Sequence, residues 1–341
     1  MHGCSSDVDF NHIRTHRKLD IHIPDHDIST PSEVNVDSPS IVTASRPSTS
    51  RSSHKAQLRP VVVFIYGGSW AFGSRRTYTL LGARLRQLGY IAVIPDYTVF
   101  PRGRSKEMEE DVRIAVQWTF ENCRQYGGDP NRIYLMGHSA GAHLAALTVL
   151  KDCVRQTFVP ESDNMPQIES SPVLMEIVKE LTIESNSKNR LHEALPRLQG
   201  LMLCSGVYDI SEHLEHEVMR GLEHISAMSR VMGGSALNFG KNSPTVIVQE
   251  LLKLLGSANA FQTSGNERHV LDGTRQLIRA ILPPKILVIH GEDDRTPNEY
   301  YNGVKGGSTT KDLSWDGSST PSCRHYAKFK EAESLYAITY G

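Results

Sequence analysis

The sequence predicts an α/β architecture: a mostly parallel, doubly wound sheet with helices on both faces and helical cap insertions. Three observations predict it. Short continuous apolar runs recur along the chain, and stretches with helical spacing lie between them. One run also passes straight into an Ala- and Leu-rich segment through a serine flanked by glycines, Gly137-His138-Ser139-Ala140-Gly141.

Residues 1–9 carry no apolar pattern and are read as a disordered tail, with a single domain over residues 10–341. In residues 17–24, Leu19, Ile21 and Ile23 alternate with other residues, the period-two signature of a half-buried strand. From 25 to 57 the composition turns to Ser, Thr, Pro and His, as in Arg46-Pro47-Ser48-Thr49-Ser50-Arg51-Ser52-Ser53, which predicts a disordered surface insertion between two strands. Val61-Val62-Val63-Phe64-Ile65 is the kind of run expected of a strand buried on both faces of a parallel sheet. Ile91-Ala92-Val93-Ile94, Ile133-Tyr134-Leu135-Met136, Gly200-Leu201-Met202-Leu203 and Ile286-Leu287-Val288-Ile289 repeat that pattern. Between them, Met108, Val112, Ala115, Val116 and Thr119 follow helical spacing, and residues 140–149 are rich in Ala and Leu. Residues 154–197 and 211–270 break the alternation, the second with Leu251-Leu252-Lys253-Leu254-Leu255, and are read as cap segments over the ligand-binding end of the sheet.

The bulk properties narrow the function. The 37 Lys and Arg nearly balance the 38 Asp and Glu, so no net field draws the chain to nucleic acid or anionic lipid, and a small substrate fits better. Cys4, Cys123, Cys153, Cys204 and Cys323 are scattered without Cys-x-x-Cys spacing, which predicts reduced thiols. No signal-peptide core and no apolar run of membrane-spanning length occurs, so the expectation is a soluble cytoplasmic protein.

The chemistry concentrates in three motifs. Gly137-His138-Ser139-Ala140-Gly141 lies where a buried strand meets a helix. A tight turn there strains the serine and presents it at the helix N-terminus, and the two glycines are needed because side chains would collide with the adjoining strand and helix. Ser139 is therefore the candidate nucleophile. Tyr66-Gly67-Gly68-Ser69-Trp70 follows the strand at 61–65, and its glycines let the backbone come close to a substrate. The N–H groups of Gly67, Gly68 and Ser69, with that of Ala140, form a candidate oxyanion hole. Trp70 and His138 are assigned to the substrate pocket, although His138 is a poor base because it points away along the turn. Third, His290-Gly291-Glu292-Asp293-Asp294-Arg295 follows the last strand, the place from which a serine triad takes its acid; Asp294 is the choice and Asp293 the runner-up.

Over about two thirds of its length, and most clearly over residues 61–150, the sequence resembles the isoprenylcysteine methylesterase-like and kynurenine formamidase-like branch of the α/β-hydrolases, near the hormone-sensitive-lipase esterases. The residues that carry this are Tyr66-Gly67-Gly68-Ser69-Trp70, Pro95-Asp96-Tyr97, Tyr126-Gly127-Gly128-Asp129-Pro130-Asn131-Arg132, and Gly137-His138-Ser139-Ala140-Gly141-Ala142-His143. Tyr66 stands where lipases and esterases usually carry a histidine. The resemblance implies serine-dependent hydrolysis of a carboxyl ester, a prenylcysteine methyl ester among them, or of an aryl formamide, with no metal or organic cofactor. Asp96, Asp129 and Asp209 are assigned to turns and His143 to helix packing.

Two readings of the catalytic histidine stand open. His325 is the one histidine after Asp294 and completes the order serine, acid, histidine. Alternatively, 321–333 and 335–341 are the helix and strand that precede this histidine in the resembling families, which puts the base outside the chain. The second reading makes the protein an impaired or ligand-binding pseudoenzyme on the same fold. A peptidase is the third class.

Overall fold

The computed structural model describes residues 4–9, 17–24, 57–159, 168, 170–185, 193–256 and 265–290. Its strands form one sheet of seven in the order β1-β2-β4-β3-β5-β6-β7, comprising Cys4–Asp9, Lys18–His22, Arg59–Ile65 (β3), Ile91–Pro95 (β4), Gly128–His138 (β5), Gly200–Cys204 (β6) and Ile286–Ile289 (β7). Pairings from β4 to β7 are parallel; β2 runs antiparallel to both β1 and β4. The five continuous runs at 61–65, 91–94, 133–136, 200–203 and 286–289 are all strands, and this order with a sharp strand-to-helix turn after β5 is the α/β-hydrolase fold.

One strand departs from the expectation. The composition of residues 1–9 predicts a tail, yet Cys4–Asp9 forms β1, an edge strand on β2. A short polar segment such as CSSDVD has no alternation to announce it, because an edge strand is held by backbone pairing with its neighbour. The insertion at 25–57 lies outside the described residues except for Gln57.

Helices cover both faces. In β2, Asp20 and His22 point to the side where the 3₁₀ turn Arg75–Tyr78 and helix α1 (Thr79–Gln87) lie: Arg75 bonds Asp20, and Gly82 sits so close to His22 that a Cβ would come 2.4 Å from its ring. Leu19 and Ile21 point the other way, as does Arg17, whose guanidinium meets Asp111 of helix α2 (Ser105–Asn122) at 2.5 Å. The α2 stripe predicted from spacing, Met108 to Thr119, is buried throughout. Helix α3 (Ala140–Phe158) is central to the layer, with every residue but Gln156 buried.

The remaining helices are α4 (Pro172–Ser185), α5 (Ile210–Met219), α6 (Met228–Met232), α7 (Ala236–Lys241), α8 (Pro244–Gly256) and α9 (Gly265–Ile281). They correct the extent of the cap segments. Residues 154–158 are the last turn of α3, and α4, α8 and α9 pack on α3 itself. Leu251, Leu254 and Leu255 of α8 are buried in the main core. Three- and four-residue spacing marks a helix with one apolar face but does not say which neighbour receives it. Among the described residues, no helix is long and apolar enough to cross a membrane.

Candidate active site

The site forms at the carboxyl end of the parallel strands, where open α/β sheets bind ligands. Register places Ile65 opposite Gly137, His138 opposite Cys204, and Cys204 opposite Ile289. The residues that follow these strands therefore stand in a row along one edge.

Ser139 has φ 53° and ψ −123°, a conformation that costs a non-glycine residue on the order of 1–3 kcal/mol. Its surroundings hold it there. The Ser139 N–H donates to Cys204 O at 2.8 Å, and its carbonyl accepts from Ala142 and His143 at 2.9 and 3.1 Å. An N-terminal serine normally caps its helix, but the Ser139 hydroxyl makes no cap bond to α3, and the residue is only half-buried. The flanking glycines are required sterically. A Cβ on Gly137 would lie 2.5 Å from Ala142 Cα, and one on Gly141 would lie 2.2 Å from Ile65 O.

The glycine loop meets this turn directly. A Cβ on Gly67 would come 2.8 Å from both Ser139 Cβ and His138 O. Gly68, Ser69 and Trp70 all have positive φ (143°, 48° and 59°), and the N–H groups of Ala71 and Phe72 fold back onto Gly68 O at 3.0 and 2.9 Å. Among the described residues, no acceptor takes the N–H groups of Gly68, Ser69 or Ala140. Such donors beside a serine hydroxyl suit a developing oxyanion.

Tyr66, in the place of the usual histidine, anchors the loop through its ring and hydroxyl. It stacks on Tyr97 with ring centroids 4.6 Å apart, donates to Asp96 at 3.3 Å, and its carbonyl accepts from the Tyr97 hydroxyl at 3.0 Å. Burial, then the Asp96 charge, raises the Tyr66 pKa, so the phenol stays a donor. Asp96 is more than a turn residue, for it also binds the Arg75 guanidinium and accepts from the Arg75 N–H at 2.8 Å, and Arg75 reaches Asp20 at 2.8 Å. Asp209, assigned to a turn, is the N-cap of α5 and accepts from Glu212 N–H at 3.0 Å, and Asp129 accepts from Asn131 N–H at 3.0 Å.

Trp70, a loop residue, is 3% exposed, with its indole N–H on His143 Nδ1 at 3.1 Å. His138 is exposed beside Gly67. Asp294, Asp293 and His325 lie outside the described residues. β7 ends two strands from β5, and Ser205 N–H donates to Ile289 O at 2.7 Å, so β7 ends on the same edge of the sheet as Ser139. Cys123, Cys153 and Cys204 are free thiols, the first two buried and the third half-buried, and burial raises the pKa of each.

His143, assigned above to helix packing, stands one helical turn after the serine. It is fully buried, its Nε2 lies 2.7 Å from Asn242 O, and burial lowers its pKa from 6.5 to about 4. The ring is therefore neutral at physiological pH. An unfolded imidazole takes its proton near 6.5, so between about pH 6.5 and 4 the unfolded chain binds one that the folded chain does not. This contribution to stability is complete above about pH 6.5 and is lost as pH falls toward 4, roughly 3 kcal/mol in all. Urea midpoints should fall across that window and fall less steeply in His143→Gln; equal slopes would refute the assignment.

The sequence is similar to those of known proteins. The chain is 32% identical over 193 residues to the "Probable isoprenylcysteine alpha-carbonyl methylesterase ICMEL1" of Oryza sativa subsp. japonica, covering 57% of this chain and 38% of that protein. It is 31% identical over 182 residues to "Esterase LipQ" of Mycobacterium tuberculosis, covering 52% and 36%. It thus spans less than two fifths of these relatives' length. A solved structure of inhibited esterase B from Lactobacillus rhamnosis aligns with TM-score 0.49 and 15% identity over 82% of this chain and 85% of that one. The glycine loop, the serine turn and β6 all fall within residues 50–236, more than half of the chain, which match the BD-FAE family model, and the protein belongs to that family.

Proposed function

We propose that the protein is a serine esterase that cleaves a small carboxyl ester through an acyl-enzyme. The observation that carries this is the contact of Gly67 with Ser139, which sets loop amides against a strained, uncapped hydroxyl. In the proposed cycle Ser139 attacks the carbonyl as its proton passes to an imidazole, assigned to His325 and oriented by Asp294. The N–H groups of Ala140 and Gly68, with Gly67 and Ser69 beside them, hold the oxyanion while the alcohol leaves. Water then releases the acid.

The named relatives, a methylesterase and an esterase, support a carboxyl ester as the substrate class and, within it, a prenylcysteine methyl ester. An aryl formamide presents the same carbonyl with a different leaving group and is the alternative within this chemistry. The test is turnover of short acyl p-nitrophenyl esters with Ser139→Ala as control, followed by competition from a prenylcysteine methyl ester and an aryl formamide. Hydrolysis that requires Ser139 and is inhibited by one of the two supports the proposal and names the class. Ligand binding without turnover in the wild type would overturn it.

A further inference from the structure

His143 joins three segments that are far apart in sequence. It lies in the first turn of α3, four residues after Ser139. Its Nδ1 faces the indole N–H of Trp70 at 3.1 Å, and its Nε2 faces the carbonyl of Asn242 at 2.7 Å, between α7 and α8. An indole N–H only donates and a carbonyl only accepts, so the tautomer is fixed, with Nδ1 bare and Nε2–H donating to Asn242.

Both partners lie where position matters. Trp70 is the third consecutive residue with positive φ in the glycine loop, and its own carbonyl accepts from Phe100 N–H at 2.9 Å. Asn242 sits at a braced corner: its side-chain amide donates to Asn238 O at 2.8 Å, and the neighbouring Ser243 hydroxyl donates to Phe239 O at 2.8 Å and accepts from Ile210 N–H at 2.9 Å. A chain of bonds thus runs from the start of α5 through this corner and the imidazole to the loop facing Ser139.

We infer that His143 is a positioning residue for the glycine loop: through Trp70 it fixes the left-handed turn whose N–H groups face Ser139, and it references that turn to the α7–α8 corner. Simple core packing would be satisfied by an apolar side chain of similar volume. Here such a side chain strands the indole N–H and the Asn242 carbonyl, and releases a turn with two non-glycine residues at positive φ. The inference rests on the proposed role of that loop as an oxyanion hole.

The test compares the full chain with its His143→Leu, His143→Gln and Trp70→Phe variants by amide hydrogen exchange and ester turnover. In His143→Leu, amides of residues 68–72 should exchange at least tenfold faster while those of β5 stay unchanged. The kcat for p-nitrophenyl butyrate should fall by about 10- to 100-fold with KM within about threefold. Gln carries one acceptor and one donor as the imidazole does, and should recover most of both. Trp70→Phe removes the same bond from the other side and should reproduce the loss; it also serves if the Leu variant does not fold. Wild-type exchange at 68–72 and wild-type kcat in folded His143→Leu or Trp70→Phe would overturn the inference. If the wild type turns over no ester, the reading of the active site fails, and exchange alone still decides whether His143 positions the loop.

Discussion

Replacing Gly141 by alanine is expected to destabilise the protein by at least about 3 kcal/mol, the upper range for overpacking a core. The added carbon would sit 2.2 Å from Ile65 O, 2.4 Å from Tyr66 O and 2.6 Å from Ile65 C. All three are backbone atoms at the end of a buried central strand, so no side chain can rotate to make room. Relief requires α3 to move away from β3, and that movement carries Ser139 away from Gly67. Activity should therefore fall even in the fraction that remains folded. Gly273, exposed inside α9 with nothing within 4 Å of its missing Cβ, is the control. Alanine there should stabilise by about 0.5–1 kcal/mol through helix propensity. Urea unfolding of the two variants checks both signs; a Gly141→Ala midpoint near that of the wild type would show that helix and strand are not in this contact.

The second large effect is on chemistry. Ser139→Ala should reduce ester turnover roughly ten-thousandfold or more, as loss of a nucleophile does in serine hydrolases that use a triad. Stability should barely change, because the Ser139 hydroxyl makes no helix-capping bond to lose. Ser139→Gly should be equally inactive yet more stable than the wild type by about 1 kcal/mol, since glycine adopts φ 53° without strain. The two variants separate the strain stored at the turn from the chemistry performed by the hydroxyl. An inactive Gly variant no more stable than the Ala variant would mean that the turn is not strained.

Which parts of this were legible in the sequence follows from the range of the interactions. Buried parallel strands advertise themselves as continuous apolar runs, and the serine turn as two glycines with a close-packing reason, so the parallel strands and that turn were readable residue by residue. β1 was not, since an edge strand is stabilised by the backbone of β2 and not by a pattern of its own. The Leu251 to Leu255 run of α8 announced a helix but not its neighbours, which include α3, α4 and α7. Tertiary pairs were invisible for the same reason. Arg75 and Asp20 are 55 residues apart, and His143 and Asn242 are 99 apart, and nothing local in either segment anticipates the other. The anchoring of the glycine loop by Tyr66 is likewise tertiary, through Asp96 and Tyr97, adjacent residues that follow β4.

The central claim is that a strained serine at the end of β5 is an activated nucleophile facing loop amides. Treating the full chain with a fluorophosphonate and locating the adduct by peptide mass spectrometry tests it most directly. One stoichiometric adduct is expected on Ser139, formed more slowly in His143→Leu and absent in Ser139→Ala. Ester hydrolysis with Ser139 unmodified, or an adduct on another serine that abolishes turnover, would contradict it.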